Sequence, residues 1–211
     1  MAEAFAAVHP AQFDADDSPW GPPSEWLDDG ERLTLSDRDL DVLATPGHTA
    51  GHIVLRDVAS QLLFAGDHIL PHITPSIGYD GVPEPLPLRS YMASLRLVRE
   101  MPDALLLPAH GPVVASAHQR ADELLAHHEQ RFEVIRDRVE RGDSTALDIA
   151  SAMAWTSRGR RLHDMDVVNQ SLAILETLAH LDVMALKGEV QVEIVNGVGH
   201  HSLRPVQFRP E

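Results

Sequence analysis

Three segments of the sequence share one design, in which a short apolar stretch leads through Gly or Pro to a potential metal ligand. They are LDVLATPGH ending at His48, LLFAGD ending at Asp67, and LLLPAHG carrying His110. Each apolar stretch is typical of a buried strand, and neighbouring strands of one sheet end at a common edge. We therefore expect these three side chains to converge at one edge of a sheet.

The residue types in these segments favour a metal site. The chain has no cysteine, so any metal has to be held by histidine and carboxylate, a donor set that suits zinc. A single histidine at a strand end is more often a hydrogen-bonded surface residue, and spacing alone does not identify the metal. A metal held there would polarise a carbonyl or phosphoryl oxygen and lower the pKa of bound water towards ~7.

The segments TPGHTAGH (45–52), LLFAGDHILPHITPSIGY (62–79) and LLLPAHGPV (105–113) closely resemble the second half of metallo-β-lactamase-fold hydrolases. The match covers about residues 30–130. Within that superfamily, GDHILPHITPSIGY together with a helical C-terminal tail resembles the glyoxalase-II-like branch that carries a winged-helix appendage. The resemblance implies an α/β fold of the α+β sandwich type, in which this chain supplies the C-terminal half of an αββα arrangement.

The resemblance also implies roles for individual residues. His48 would bind the first of two zinc ions, Asp67 would bridge both and act in catalysis, and His110 would bind the second. His68, Thr49 and Gly47 would line or support the pocket. The implied reaction is hydrolysis of a small ester or thioester substrate by water activated at a dinuclear zinc site.

One part of the family pattern is absent from the chain. The motif H-x-H-x-D-H should precede TPGHT, yet the only earlier histidine is His9, in a segment that does not match. Each zinc would then keep two protein ligands, whereas catalytic zinc normally has three. We therefore expect weak metal binding and impaired activity. Three explanations are considered: an N-terminally truncated chain or misassigned start, a degenerate gene, or a homodimer that covers the sheet face left exposed. The first is favoured, because the remaining motifs are intact.

The chain is predicted to have two domains, a partial metallo-β-lactamase-like domain at 1–140 and a winged-helix-like domain at 141–211, with the boundary near 138–143. Period-two patterns predict a hairpin over 32–44 and strands at 52–57, 61–66 and 103–110. Helical periodicity predicts helices at 88–101 and 118–142, a capped helix from Ser144, and a helix at 166–184. One face of the 166–184 helix is predicted to carry Val168, Leu172, Leu175 and Leu178 or Ala179. Two strands, 189–195 and 201–208, are predicted around the turn pair Asn196-Gly197.

The remaining histidine pairs have simpler interpretations. His127 and His128 lie on the polar 118–142 helix and are predicted to face solvent. His200 and His201 follow the hairpin turn and are also predicted to lie at the surface.

Charge limits the candidate partners. The formal net charge is −15, and residues 1–130 hold 7 basic against 20 acidic residues. Such an acidic surface disfavours nucleic acid and anionic membranes, and the helix at 167–181 has no Lys or Arg to meet DNA. The absence of a signal-like or membrane-spanning segment favours a cytoplasmic protein that acts on a small molecule. Two alternatives to that hydrolase remain, a non-catalytic remnant or dimeric interaction module, and a phosphodiester or RNA hydrolase.

Overall fold

A computed structural model describes residues 24–78, 84–156 and 159–204. The chain divides into two compact units, one within Met1–Leu125 and the other within Ala126–Glu211. This division falls inside a long helix, whereas the predicted domain boundary lies at the end of that helix, near residue 140. The domain assignment itself stays a prediction.

The first unit is built on a five-stranded sheet in the order β1-β2-β3-β4-β5. Its strands are β1 Arg32–Thr34, β2 Asp39–Ala44, β3 Ile53–Asp57, β4 Leu62–Gly66 and β5 Leu105–Pro108. Strands β1 to β4 pair antiparallel, and β5 pairs parallel to β4. The parallel pair requires a crossover, which contains helix α1, Pro87–Glu100. The strands and the helix predicted for this half of the chain are confirmed.

The two faces of this sheet differ in burial. Val54, Leu63 and Leu106 lie on one face, and each is at most 1% exposed. On the opposite face, Leu55 pairs with Phe64 and Phe64 with Leu107, and all three are only partly buried. This second face is therefore apolar and incompletely covered.

Helix α1 is fastened to the loops that follow β2 and β4. The hydroxyl of Ser94 donates to the carbonyl of Pro46 at 2.9 Å, and the hydroxyl of Tyr91 donates to the carbonyl of His68 at 3.0 Å. Tyr91 itself is fully buried. These contacts fix the backbone on both sides of the convergent strand ends.

The second unit contains three helices and a hairpin among its described residues. Helix α2, Ala117–Glu140, extends into this unit. It is followed by α3 Ala146–Ala152, a 3₁₀ turn Leu162–Asp164, α4 Val167–Leu186, β6 Val190–Val195 and β7 Val198–Leu203. The turn that follows helix α2 contains Gly142, whose φ is 100°. The N–H groups of Gly142 and Asp143 bond the carbonyls of Val139 and Arg138, the pattern of a Schellman motif. Thr145 caps α3 in a capping box with Asp148.

The hairpin agrees with the predicted turn but not with the predicted second strand. Asn196 and Gly197 both have positive φ, 52° and 79°, as a type I′ turn requires. Strand β7 begins at Val198, immediately after this turn, because a two-residue turn leaves no residues unpaired. The predicted strand began at 201, and its residues 205–208 lie outside the described residues.

The predicted face of α4 is only partly the one that packs. Val168 and Leu178 are 47% and 38% exposed, whereas Ala179 from the prediction is buried together with Ala173, Leu181 and Met184. This helix is apolar around most of its circumference, so periodicity does not identify the side that packs.

The solvent-facing prediction for His127 and His128 is also wrong. His128 is fully buried and His127 is partly buried, because this part of α2 packs on α4. His201 is 5% exposed, and its N–H donates to the carbonyl of Ser144 at 2.7 Å. His200 is partly buried, with its ring 3.0 Å from the hydroxyl of Ser144. These two histidines therefore fasten the hairpin to the start of α3.

None of the described helices is both long and apolar enough to cross a bilayer.

Candidate metal centre

The topology of the sheet brings three strand ends to one edge. Strands β2 and β4 both run antiparallel to β3, and β5 runs parallel to β4. The C-terminal ends of β2, β4 and β5 therefore lie at the same edge. His48, Asp67 and His110 each follow one of these ends by one to four residues.

The three side chains meet at the carboxylate of Asp67. Its Oδ1 lies 3.5 Å from Nε2 of His110, and its Oδ2 lies 4.0 Å from Nε2 of His48. The two imidazoles thus approach different oxygens of one carboxylate. The side chain of His110 is 73% exposed and that of His48 is 20% exposed, so the centre opens to solvent on the His110 side.

A backbone carbonyl group orients the ring of His48. Its Nδ1 lies 2.8 Å from the carbonyl oxygen of Ser76. A carbonyl only accepts, so Nδ1 carries a proton, and Nε2 is the ring nitrogen that faces Asp67. A hydrogen bond of this kind fixes the tautomer and ring plane of metal-binding histidines.

The donors fit a divalent metal ion. Oδ1 of Asp67 is buried and has no hydrogen-bond partner among the described residues. A buried carboxylate oxygen without a partner is costly, and a cation in contact with it would remove that cost. Two imidazole nitrogens and a carboxylate match the preferences of zinc and similar ions.

A second layer of rings lies beneath these donors. The ring centroids of His48 and His52 are 6.1 Å apart, those of His52 and His68 are 5.9 Å apart, and those of His68 and Tyr91 are 5.2 Å apart. Burial lowers the pKa of His68 to about 3, so its ring is neutral at pH 7. His68 is fully buried, and its role in lining or supporting the pocket stays a prediction.

His52 belongs to this layer although the sequence did not single it out. Its Nδ1 lies 2.9 Å from the hydroxyl of Thr45, and burial followed by the charge of His48 lowers its pKa. A Cβ on Gly66 would lie 2.8 Å from its Nε2. The sequence feature that could have indicated His52 is the second histidine of TPGHTAGH, which is the first residue after the loop.

The loop that carries His48 depends on Gly47. This residue has a φ of 130°, and a Cβ placed on it would lie 2.4 Å from the backbone of Tyr91. Thr49 contributes through its carbonyl, which accepts from the N–H groups of Gly47 and His52 at 3.2 and 3.3 Å. The two residues therefore shape the loop through the backbone.

Helix α2 supports the segment that follows Asp67. The guanidinium of Arg120 donates to the carbonyls of Leu70 and Ile73 at 2.6 and 3.1 Å. The bond to Leu70 is partly buried, whereas the bond to Ile73 is exposed. His9, the only histidine before the TPGHT motif, lies outside the described residues.

Comparison with known proteins identifies the family. The sequence model of the metallo-beta-lactamase superfamily matches residues 3–110, which are 108 of the 211 residues. The chain belongs to this superfamily. The crystal structure of a beta-lactamase domain protein from Burkholderia ambifaria is 30% identical, superposes with a TM-score of 0.79, and covers 96% of this chain and 59% of that one. The α/β fold of the superfamily, predicted from the sequence, is confirmed.

Two curated relatives add detail. Beta-lactamase-like protein 2 homolog of Caenorhabditis elegans is 30% identical over 152 residues, which cover 70% of this chain and 49% of that protein. Hydroxyacylglutathione hydrolase of Yersinia pestis (strain Pestoides F) is 31% identical over 118 residues, which cover 53% and 44%. The chain thus spans about half the length of these relatives.

Proposed function

We propose that the chain carries the second half of a dinuclear zinc centre that hydrolyses small ester or thioester substrates. The observation that supports this most strongly is the carboxylate of Asp67 between Nε2 of His110 at 3.5 Å and Nε2 of His48 at 4.0 Å. Asp67 would be placed to hold both ions, since each of its oxygens faces a different imidazole.

Each residue of the centre would have a different role. His48 and His110 would each hold one ion, and Asp67 would hold both. Zinc in such a centre supplies a Lewis acid and lowers the pKa of its water towards about 7. The carbonyl of Ser76 accepts from Nδ1 of His48, so Nε2 is the nitrogen that would bind an ion, and the buried His68 and Tyr91 exclude water from beneath the donors.

The substrate class is inferred from the family and from the donors together. One relative is a hydroxyacylglutathione hydrolase, and hydroxyacylglutathione is a thioester, so an acyl substrate and the glyoxalase-II-like branch agree with this similarity. The net charge of −15 disfavours a polyanionic substrate such as RNA. With two protein ligands for each ion, we expect this chain to bind zinc weakly and to turn over slowly.

Thioester hydrolysis tests the proposal. The purified chain is assayed after chelation and again after zinc is restored, beside Asp67→Asn and beside His163→Gln, whose parent side chain is 78% exposed. Turnover should require zinc, should fall at least 100-fold in Asp67→Asn, and should persist in the His163 control. Turnover that survives chelation, or that is equal in both variants, contradicts the proposal.

The partly exposed sheet face favours a second candidate, a non-catalytic module that dimerises. Leu55, Phe64 and Leu107 form one cross-strand row on this face, and Leu105 beside them is 38% exposed. Contiguous exposed apolar area is typical of interaction surfaces. Light scattering at micromolar concentration decides this alternative, because a well-folded monomer would exclude it.

A further inference from the structure

The second unit contains a buried cluster of ionisable side chains that the proposed hydrolase does not use. His127, His128 and Arg131 lie on α2, and Glu176 and His180 lie on α4. His128 and His180 are at most 1% exposed, and the side chains of Arg131 and Glu176 are 13% and 14% exposed. Polar groups at this depth need strong partners.

The hydrogen bonds of the cluster assign its tautomers. Nδ1 of His180 lies 2.7 Å from the carbonyl oxygen of Glu176, so Nδ1 carries the proton and Nε2 is an acceptor. Nδ1 of His128 lies 3.2 Å from that Nε2 and must therefore donate to it. Nε2 of His128 is then left with a lone pair, the form of imidazole nitrogen that binds a metal.

Burial keeps both rings in this neutral form. It lowers the pKa of His180 to about 4 and that of His128 well below its usual value. The carboxyl of Glu176 experiences the opposite effect, because burial raises its pKa while Arg131 opposes the rise. A cation beside Glu176 would therefore stabilise its charged form.

Arg131 does not fill this role completely. Its Nε lies 3.5 Å from Oε1 of Glu176, which is long for a charge-assisted hydrogen bond. The guanidinium stacks on Trp155 at 4.2 Å and donates from Nη1 to the carbonyl of Ala154 at 3.1 Å. These two contacts hold it in place independently of Glu176.

We propose that His127, His128 and Glu176 form a structural site for a divalent transition metal, with zinc as the best match. One ligand atom from each residue lies within 4.8 Å of the others. An ion at 2.0–2.2 Å from each ligand needs ligand separations of roughly 3–4 Å, so a bound ion would draw these atoms closer together. Two imidazoles and one carboxylate are a recurrent donor set for such ions. The bound ion would tie α2 to α4.

Zinc binding to the full-length chain tests this site. All samples carry Asp67→Asn, which weakens binding between His48 and His110, and zinc is counted by equilibrium dialysis. This parent should bind one equivalent. Glu176→Gln, nearly identical in shape, and His127→Gln should each weaken that binding at least tenfold, whereas the exposed control His163→Gln should leave it unchanged.

A measurement on the unmutated chain guards against variants that fold poorly. In nitrogen-15 spectra of the imidazoles, zinc should move the unprotonated-nitrogen signals of His127 and His128 and leave that of His163 in place. The proposal is overturned if these signals do not move at saturating zinc. It is equally overturned if a folded Glu176→Gln protein binds zinc as tightly as its parent, because the cluster is then a hydrogen-bonded packing network.

Discussion

Gly47 shows how a residue without a side chain determines the candidate centre. Its φ of 130° and the 2.4 Å approach of Tyr91 leave no space for a Cβ. We predict that Gly47→Ala lowers the free energy of unfolding by roughly 3 kcal/mol, because both backbone strain and a backbone clash oppose it. Urea denaturation followed by circular dichroism measures this change.

Gly51 provides a matched control in the same loop. A Cβ there would meet nothing within 4 Å, so Gly51→Ala should change the free energy of unfolding by less than about 0.5 kcal/mol. Equal effects of the two substitutions would show that Tyr91 does not restrict the loop.

His68 makes stability depend on pH. Its folded-state pKa of about 3 lies below its unfolded value near 6.5, so the unfolded chain binds the extra proton between these values. The free energy of unfolding should therefore fall as the pH drops from 6.5 towards 3, by at most about 1.4 kcal/mol per pH unit from this group. Denaturation of the chelator-treated chain at pH 7, 6 and 5 measures the slope.

The variant His68→Gln isolates this contribution. It removes the titrating ring, so the slope between pH 7 and 5 should become shallower than that of the parent. The exposed control His163→Gln should keep the parent slope. An unchanged slope in a folded His68→Gln protein would contradict a neutral buried His68.

At the scale of elements, α2 supports the centre through Arg120. Its guanidinium donates to the carbonyls of Leu70 and Ile73, just after the strand end that carries Asp67. Arg120→Ala should lower the free energy of unfolding by about 2 kcal/mol, because it removes the donor to the carbonyl of the buried Leu70. It should also weaken zinc binding about tenfold by loosening the support of a ligand.

Arg99 is the appropriate comparison for this substitution. Its bond to Asp122 at 2.6 Å joins side chains that are 36% and 56% exposed. Exposed ion pairs contribute little, so Arg99→Ala should leave zinc affinity unchanged. Calorimetric titration of both variants checks the difference, and equal affinities would show that the Leu70–Ile73 segment does not support Asp67.

The elements were predictable from the sequence where a local rule applied. The hairpin at Asn196-Gly197, the helix end at Gly142 and the alternating strands of the first unit follow from turn chemistry and periodicity. The buried face of α4 was not predictable, since an apolar helix offers no contrast between its sides. His127 and His128 were misplaced for the opposite reason, because α2 is polar overall and its contact with α4 is a tertiary feature.

Local sequence rules likewise predicted one part of the candidate centre, and tertiary contacts determine the other part. His48, Asp67 and His110 were predictable because each follows a short apolar strand, and the sheet order then places those strand ends together. The contact of His48 with Ser76 spans 28 residues and passes through a segment without regular structure, so no pattern indicated it. His52 shows the same limit, because its place beside Gly66 depends on strand pairing.

For the whole molecule, the central question is how much of a metal centre this chain provides. It belongs to the metallo-beta-lactamase superfamily and spans about half the length of its curated relatives. The H-x-H-x-D-H motif is absent from its sequence. An in-frame H-x-H-x-D-H sequence in the genomic DNA upstream would supply the remaining ligands and predict a fully active parent protein.

The most direct measurement is zinc titration of the chain with Glu176→Gln as the background, which weakens the separate site of the second unit. We predict zinc binding that Asp67→Asn weakens at least tenfold and that His163→Gln leaves unchanged. Binding of equal strength in the Asp67→Asn protein, or no binding in the background protein at millimolar zinc, would contradict a metal centre at His48, Asp67 and His110.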